Sequence, residues 1–259
     1  MITLVRAKLA ERRRAALAWG LPLGLWSAFI VAIYPSIESA LSQAVRRYPA
    51  SLKEAFGVGG LSTVEQYLHA EMLSLIVPLV VGYLAIRSVA SGLSTAAEDG
   101  RLDVLLSAPI SRRNVVVADC LATAIELAAV LALAWIFAVG ASAVFGSGLD
   151  LGLALAGFAS VWPLALLAGG ITVVITGRSL HTPVVTGTAG GILVAMYVLD
   201  LVGRLDPNLD GLRYASVFRY YGNAIESGID PWAFLGVVGA AGLLAALGTV
   251  LFERRDLVA

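Results

Sequence analysis

The chain has 259 residues, of which 59% are hydrophobic and only 14% are charged, and its mean hydropathy is +0.86. Soluble proteins carry about 25% charged residues, so this composition excludes a soluble domain and predicts a polytopic, all-α membrane protein. The formal net charge is +0, and only the N-terminus has a basic cluster, so we expect no nucleic-acid partner.

Residues 1–14 are predicted to form an amphipathic helix that lies in the membrane interface, before the first span. Ile2, Val5 and Leu9 share one apolar face of this helix. Its basic side chains can reach lipid headgroups; they are Arg6, Lys8, Arg12, Arg13 and Arg14. The next apolar run, Ala15 to Tyr34, has the roughly 20 residues that a span needs. No small-residue cleavage site follows it, so we interpret it as an uncleaved span rather than a signal peptide.

Five further apolar runs complete six predicted spans within residues 15–259. Their bounds are about 72–97, 115–145, 151–176, a fifth run that ends near Asp200, and about 232–252. A tight turn is predicted at Gly146-Ser147-Gly148. Gly187 and Gly191 lie four residues apart in the fifth run, a spacing that allows another helix to approach closely.

Two longer polar segments, 36–70 and 202–230, are predicted on the outer side. The first is expected to hold a short amphipathic helix around 40–56, and the second has a turn at Asp206-Pro207-Asn208. The second segment also carries aromatic residues that are typical of the membrane–water interface: Tyr214, Phe218, Tyr220 and Tyr221.

The distribution of basic residues predicts that both termini lie in the cytoplasm. The inner side carries Arg6, Lys8, Arg12, Arg13, Arg14, Arg101, Arg112, Arg113, Arg178, Arg254 and Arg255. The longer outer segments carry only Arg46, Arg47, Lys53, Arg204, Arg213 and Arg219. By the positive-inside rule this excess orients the chain.

The segment 98–114 is a polar island between the second and third spans. Gly100 can end the preceding helix in a left-handed conformation, and Ser111 or Asn114 can cap the helix that follows Pro109. Between them, a short helix has an apolar face made of Leu102, Leu105 and Leu106, with Arg101 and Asp103 away from it. Such a helix is suited to dock into another protein, although an ordinary hairpin loop has the same pattern.

This segment resembles the intracellular loop of type-2 ABC transporter permeases, in which an acid, a glycine and a leucine-rich turn precede a proline and an arginine. The residues that match in order are Glu98, Gly100, Leu102, Leu105, Leu106, Pro109, Ser111 and Arg112, with Glu98 or Asp99 as the acid. The C-terminal segment, Phe252 to Leu257, resembles the closing signature of the same family.

The resemblance implies a six-span permease subunit of an ATP-driven exporter, with an N-terminal amphipathic elbow and a short cytoplasmic coupling helix. The implied partners are a cytoplasmic ABC ATPase subunit, a second copy or a sister permease, and membrane lipid. The implied ATPase contact consists of Glu98, Asp99, Gly100, Arg101, Leu102, Leu105, Leu106, Pro109 and Arg112. The substrate expected is amphiphilic, because little that is polar could line a path through the spans.

The chain itself has no phosphate-binding loop of the Gly-Lys-Ser/Thr type, since Lys8 follows Ala7 and Lys53 follows Leu52. We therefore expect no cofactor on this chain, with ATP and magnesium on the partner ATPase. No metal motif is present either, and a satisfied interfacial side chain is the simpler interpretation of both His69 and His181.

Four ionisable residues lie within the predicted spans. Asp119 and Asp200 are close enough to the interfaces to be solvated, whereas Arg87 and Glu126 are not. Arg87 and Glu126 fall at nearly equal depth on consecutive helices, so we predict an ion pair between them. The alternatives are an Arg87 that extends to the cytoplasm beside a protonated Glu126, or a Glu126 that faces the transport path. An intramembrane enzyme that uses Glu126 or Asp200 on a lipid-like substrate is the alternative function, and a membrane scaffold is a third.

Overall fold

The structure is a computed structural model that describes residues 1–46, 63–107 and 110–254. Within these ranges six helices are long and apolar enough to cross a membrane, and no strand occurs. They are α1 (Ile2–Arg46), α3 (Ile76–Glu98), α5 (Arg112–Phe145), α6 (Leu151–Arg178), α7 (Thr182–Leu205) and α10 (Pro231–Glu253). This arrangement confirms the predicted all-α, six-span fold.

Shorter helices lie between the spans. They are α2 (Val64–Leu68), α4 (Arg101–Leu106), α8 (Val217–Tyr221) and α9 (Ala224–Ser227), together with a π-helical turn at His69–Leu73 and a 3₁₀ helix at Pro207–Ala215. The second span begins at Ile76 rather than near residue 72, because the π-helical turn precedes it and Leu75 has a non-helical backbone, with φ −141° and ψ −59°.

The N-terminal region differs from the prediction of a separate interfacial helix that ends at residue 14. Residues 2–46 form one helix without interruption. Residues 7–18 are all Ala, Lys, Leu, Glu or Arg, which are the strongest helix formers, so nothing in the sequence ends the helix there. The helix predicted around 40–56 overlaps the end of α1, and its remainder, from residue 47, lies outside the described residues.

The helix ends follow local sequence signals. Gly100 and Gly146 have left-handed backbones, with φ of 70° and 67°, and each follows the end of a span. The Ser111 hydroxyl accepts a hydrogen bond from the Asn114 N–H at 3.2 Å and caps α5. Asp150 caps α6 in the same way, through the Leu153 N–H at 2.8 Å.

The core is built around α3 and α6, which are the most buried spans. The main helix pairs are α1 with α5, α6 with α10, and α3 with α6. Glycines bring α6 and α10 together, since a Cβ at Gly248 would lie 2.6 Å from the Val173 backbone and one at Gly170 would lie 2.8 Å from the Ala241 carbonyl oxygen. The predicted glycines behave differently, because a Cβ at Gly187 or Gly191 would meet nothing within 4 Å.

The segment between α7 and α10 differs from the predicted aromatic belt at the membrane interface, because some of its aromatic side chains are buried in the protein. Tyr214 and Tyr220 are exposed, but Phe218 and Tyr221 are buried in the protein core. The Tyr221 hydroxyl donates a hydrogen bond to the Leu73 carbonyl at 2.8 Å, and Phe218 packs edge-on against Tyr197. The short helix α8 therefore anchors the segment between α7 and α10 to the spans.

Candidate coupling site and buried charge cluster

The helix α4 lies between two spans, with Gly100 at the turn that precedes it. Its Leu102 side chain is only 2% exposed and belongs to a buried apolar cluster that includes Leu93, Val116 and Phe252. Val104, two residues further on, is 75% exposed. The two segments that resemble the permease family, 98–114 and the chain end that begins at Phe252, thus meet in one cluster.

This packing changes the interpretation of the predicted contact residues. Leu102 is buried in the core of this chain, so it is not available to a partner, whereas Asp99 and Arg101 are exposed and form an ion pair at 2.9 Å. Arg112 is the first residue of α5. Leu105 and Leu106 lie in α4 but their side chains, like all of Pro109, fall outside the described residues. Val104, which the sequence did not indicate, is an exposed apolar side chain of α4.

Glu98 faces the connection between α6 and α7. Its carboxylate accepts hydrogen bonds from the Thr182 N–H at 3.0 Å and the Thr182 hydroxyl at 2.6 Å, and its Oε1 lies 3.1 Å from His181 Nδ1. Thr182 begins α7, and the residue before it, His181, supplies no side-chain cap. Glu98 therefore provides the acceptor that the first turn of α7 lacks, and its negative charge lies at the positive end of the helix dipole.

A buried charge cluster joins three spans near the same end of the molecule. We define it as Lys8 and Arg12 of α1, Ser88 and Gly92 of α3, and Asp119, Thr123 and Glu126 of α5. Asp119 Oδ1 lies 2.5 Å from Lys8 Nζ and 2.8 Å from Arg12 Nη2. Arg12 also donates to the Ser88 carbonyl at 2.8 Å, and its Nη1 lies 3.6 Å from Glu126 Oε2.

The cluster is closely packed around its charges. Asp119 and Glu126 are buried, which corrects the expectation that Asp119 is solvated. Gly92 is required at its position, because a Cβ there would overlap the Asp119 carboxylate and lie 2.8 Å from Arg12 Nη2. Two cations face two acids, so the cluster is formally neutral, and each charge offsets the desolvation cost of its partner.

The structure does not bring Arg87 to Glu126. Arg87 is exposed, whereas the next residue, Ser88, donates its hydroxyl hydrogen bond to Glu126 Oε2 at 2.8 Å. The two helices therefore meet at the expected depth, but α3 turns Arg87 away from α5. Arg12 supplies the cation instead. The prediction that the basic N-terminal side chains reach lipid headgroups consequently does not hold for Lys8 and Arg12.

The family described as "Multidrug efflux system permease Rv1217c, C-terminal domain" matches residues 8–253. The chain belongs to this family. A comparison with curated proteins gives no match.

The permease is therefore a multi-pass membrane protein and a transport subunit of the type-2 ABC exporter class, as the loop motif predicted. The alternative of an intramembrane enzyme depended on Glu126 or Asp200. In the permease Asp200 is buried rather than solvated, and it forms ion pairs with Arg204 and, at 3.0 Å, with Arg213. Each acid thus has an arginine of this chain as its ionic partner.

Proposed function

We propose that the permease is the membrane subunit of an ATP-driven exporter and that a cytoplasmic ABC ATPase docks on α4. The observation that carries this proposal is the two-sided character of α4. Leu102 fixes the helix to the core of the permease. Val104 exposes its apolar side chain on the surface of the protein, at the end of the molecule where the basic residues cluster. A helix that is packed against the core on one face and exposes an apolar side chain on the other is a suitable contact for a partner protein.

Motion of α4 would reach the spans through contacts already described. The connection through Gly100 leads to α3, the Leu102 cluster includes Phe252 of α10, and Glu98 holds the first turn of α7. ATP-driven closure of two ATPase subunits would push on α4 and bias these helices between inward- and outward-open states, which is alternating access.

The orientation and the partner copy belong to the same proposal. The positive-inside rule assigns α4 and both termini to the cytoplasm. The family description refers to one domain of a permease, which supports a second six-span unit, either another copy or a sister permease. The outward glycines of α7, Gly187, Gly190 and Gly191, leave open space in which a second unit could pack closely. We further propose an amphiphilic substrate, because the acids Asp119, Glu126 and Asp200 are occupied by cations of this chain.

Replacing Val104 with aspartate tests the docking role. Val104 is exposed, so the variant should insert and fold normally, but a charge on the contact surface should abolish copurification of the ATPase and transport. Val144→Asp is the matched control, since Val144 is 77% exposed at the far end of α5. Undiminished ATPase binding and transport by Val104→Asp would rule out this docking surface.

A further inference from the structure

A groove with a volume of about 530 Å³ lies between α5, α6 and α10. Its walls are mostly apolar and include Leu121 of α5, Leu166 of α6, and Val238 and Gly242 of α10. The volume is within the usual range for a small-ligand site. The groove contains none of the acids of the buried charge cluster and shares only Thr123 with it.

One end of the groove carries two opposite charges. Arg113, in the first turn of α5, and Glu253, the last residue of α10, both line it. Both side chains are exposed, and neither forms an ion pair with another residue in 1–46, 63–107 or 110–254. A guanidinium binds phosphate through paired hydrogen bonds, and a carboxylate binds a primary ammonium. This end of the groove therefore matches a zwitterionic headgroup.

The length of the groove matches the hydrocarbon of one leaflet. From Arg113 to Ala124, both of which line the groove, α5 rises by about 16 Å at about 1.5 Å per residue. The hydrocarbon of one leaflet is about 15 Å deep, half of the usual bilayer core. A molecule with its charged head at Arg113 and Glu253 and an acyl chain along the groove would thus fill it from the interface to the bilayer centre.

We propose that this groove binds a phospholipid with a primary ammonium headgroup, of the phosphatidylethanolamine type. The phosphate lies against Arg113, the ammonium lies against Glu253, and one acyl chain follows Leu121, Leu166 and Val238. The lipid comes from the leaflet on the α4 side, which we propose is cytoplasmic. The anionic phosphatidylglycerol lacks the ammonium that Glu253 binds. Phosphatidylcholine has a quaternary ammonium, which has no N–H to donate a hydrogen bond to Glu253.

Native mass spectrometry of the purified permease, without an ATPase, tests this site with phosphatidylethanolamine, phosphatidylcholine and phosphatidylglycerol added in turn. We expect phosphatidylethanolamine to be retained about tenfold more strongly than the other two. Glu253→Gln should remove that preference, whereas Arg113→Gln should weaken the retention of all three lipids, because all three carry the phosphate that Arg113 binds. Gly242→Trp should block the groove, because a Cβ at Gly242 meets nothing within 4 Å. Gly239→Trp is the matched control, since Gly239 is on the same helix, has equally open space and lies outside the groove lining.

Three results would overturn the proposal. These are equal retention of the three lipids, unchanged phosphatidylethanolamine binding by Gly242→Trp, and a change of oligomeric state by Gly242→Trp without a change in lipid binding, which would assign the groove to a second copy. Because the measurement needs neither ATPase nor transport, its outcome is independent of whether α4 docks a partner. If Gly242→Trp does not fold, the two glutamine variants decide the question alone.

Discussion

Replacing Arg12 with alanine should destabilise the permease more than any surface substitution in the same helix. Arg12 contacts Asp119, Glu126 and the Ser88 carbonyl, so its removal leaves one cation, Lys8, to balance two buried acids. Breaking a buried ion pair by deleting one partner costs about 3–5 kcal/mol. For a chain of this size that loss corresponds to a decrease of roughly 10 °C in the unfolding temperature.

The assay is thermal unfolding of the purified protein, with Arg13→Ala as the control. Arg13 is the next residue of α1 and is exposed, so its removal should cost no more than about 0.5 kcal/mol. Adding Glu126→Gln to Arg12→Ala should recover part of the loss, because Lys8 still pairs with Asp119 whereas Glu126 has lost its arginine. Gly92→Ala tests the same geometry independently, since its Cβ would overlap the Asp119 carboxylate. Equal unfolding temperatures for the Arg12 and Arg13 variants would refute the energetic role of the cluster.

Two other groups give separate predictions. Glu98→Gln removes the negative charge that caps α7, so transport should fall while the ATPase still copurifies. Asp99→Asn, at an exposed neighbouring residue, is the control. Unaffected transport by Glu98→Gln would count against the connection between α3 and α7 through Glu98. Burial, with a smaller contribution from Arg204, lowers the pKa of His69 from 6.5 to about 4. On acidification, His69 is protonated in the unfolded chain before it is protonated in the folded protein. The free energy of unfolding should therefore fall by up to about 3 kcal/mol as the pH drops from 6.5 towards 4. His69→Gln should lose this pH dependence, and a similar pH profile for both proteins would contradict the burial effect.

Local signals in the sequence predicted the six spans and several of their ends. Gly100, Gly146 and Ser111 act at the helix ends for which they were identified, because left-handed glycines and N-capping hydroxyls depend on only a few neighbouring residues. The prediction of a separate N-terminal helix lacked such a local signal, since residues 7–18 contain no residue that ends a helix.

The rotation of each span about its axis could not be predicted in the same way. In α5 apolar residues occur around the whole helix, so their periodicity does not indicate the face that is turned inward. Depth alone therefore selected Arg87 as the partner of Glu126, although Arg12 occupies that place. A usable signal existed in the spacing: Lys8 and Arg12 are four residues apart, and Asp119, Thr123 and Glu126 repeat at intervals of four and three, so each set lies on one helical face.

The buried charge cluster ties α1 to α3 and α5 through Lys8 and Arg12. The Leu102 cluster joins α4 to the same unit through Leu93 and Val116, and it also includes Phe252 of α10. Glu98, at the end of α3, bonds to the first turn of α7. Closely packed ionic contacts between helices resist sliding, because every displacement exposes or separates buried charges. If an ATPase docks on α4 as we propose, we expect α1, α3 and α5 to move as one unit, with the change in access arising where this unit meets α7 and α10.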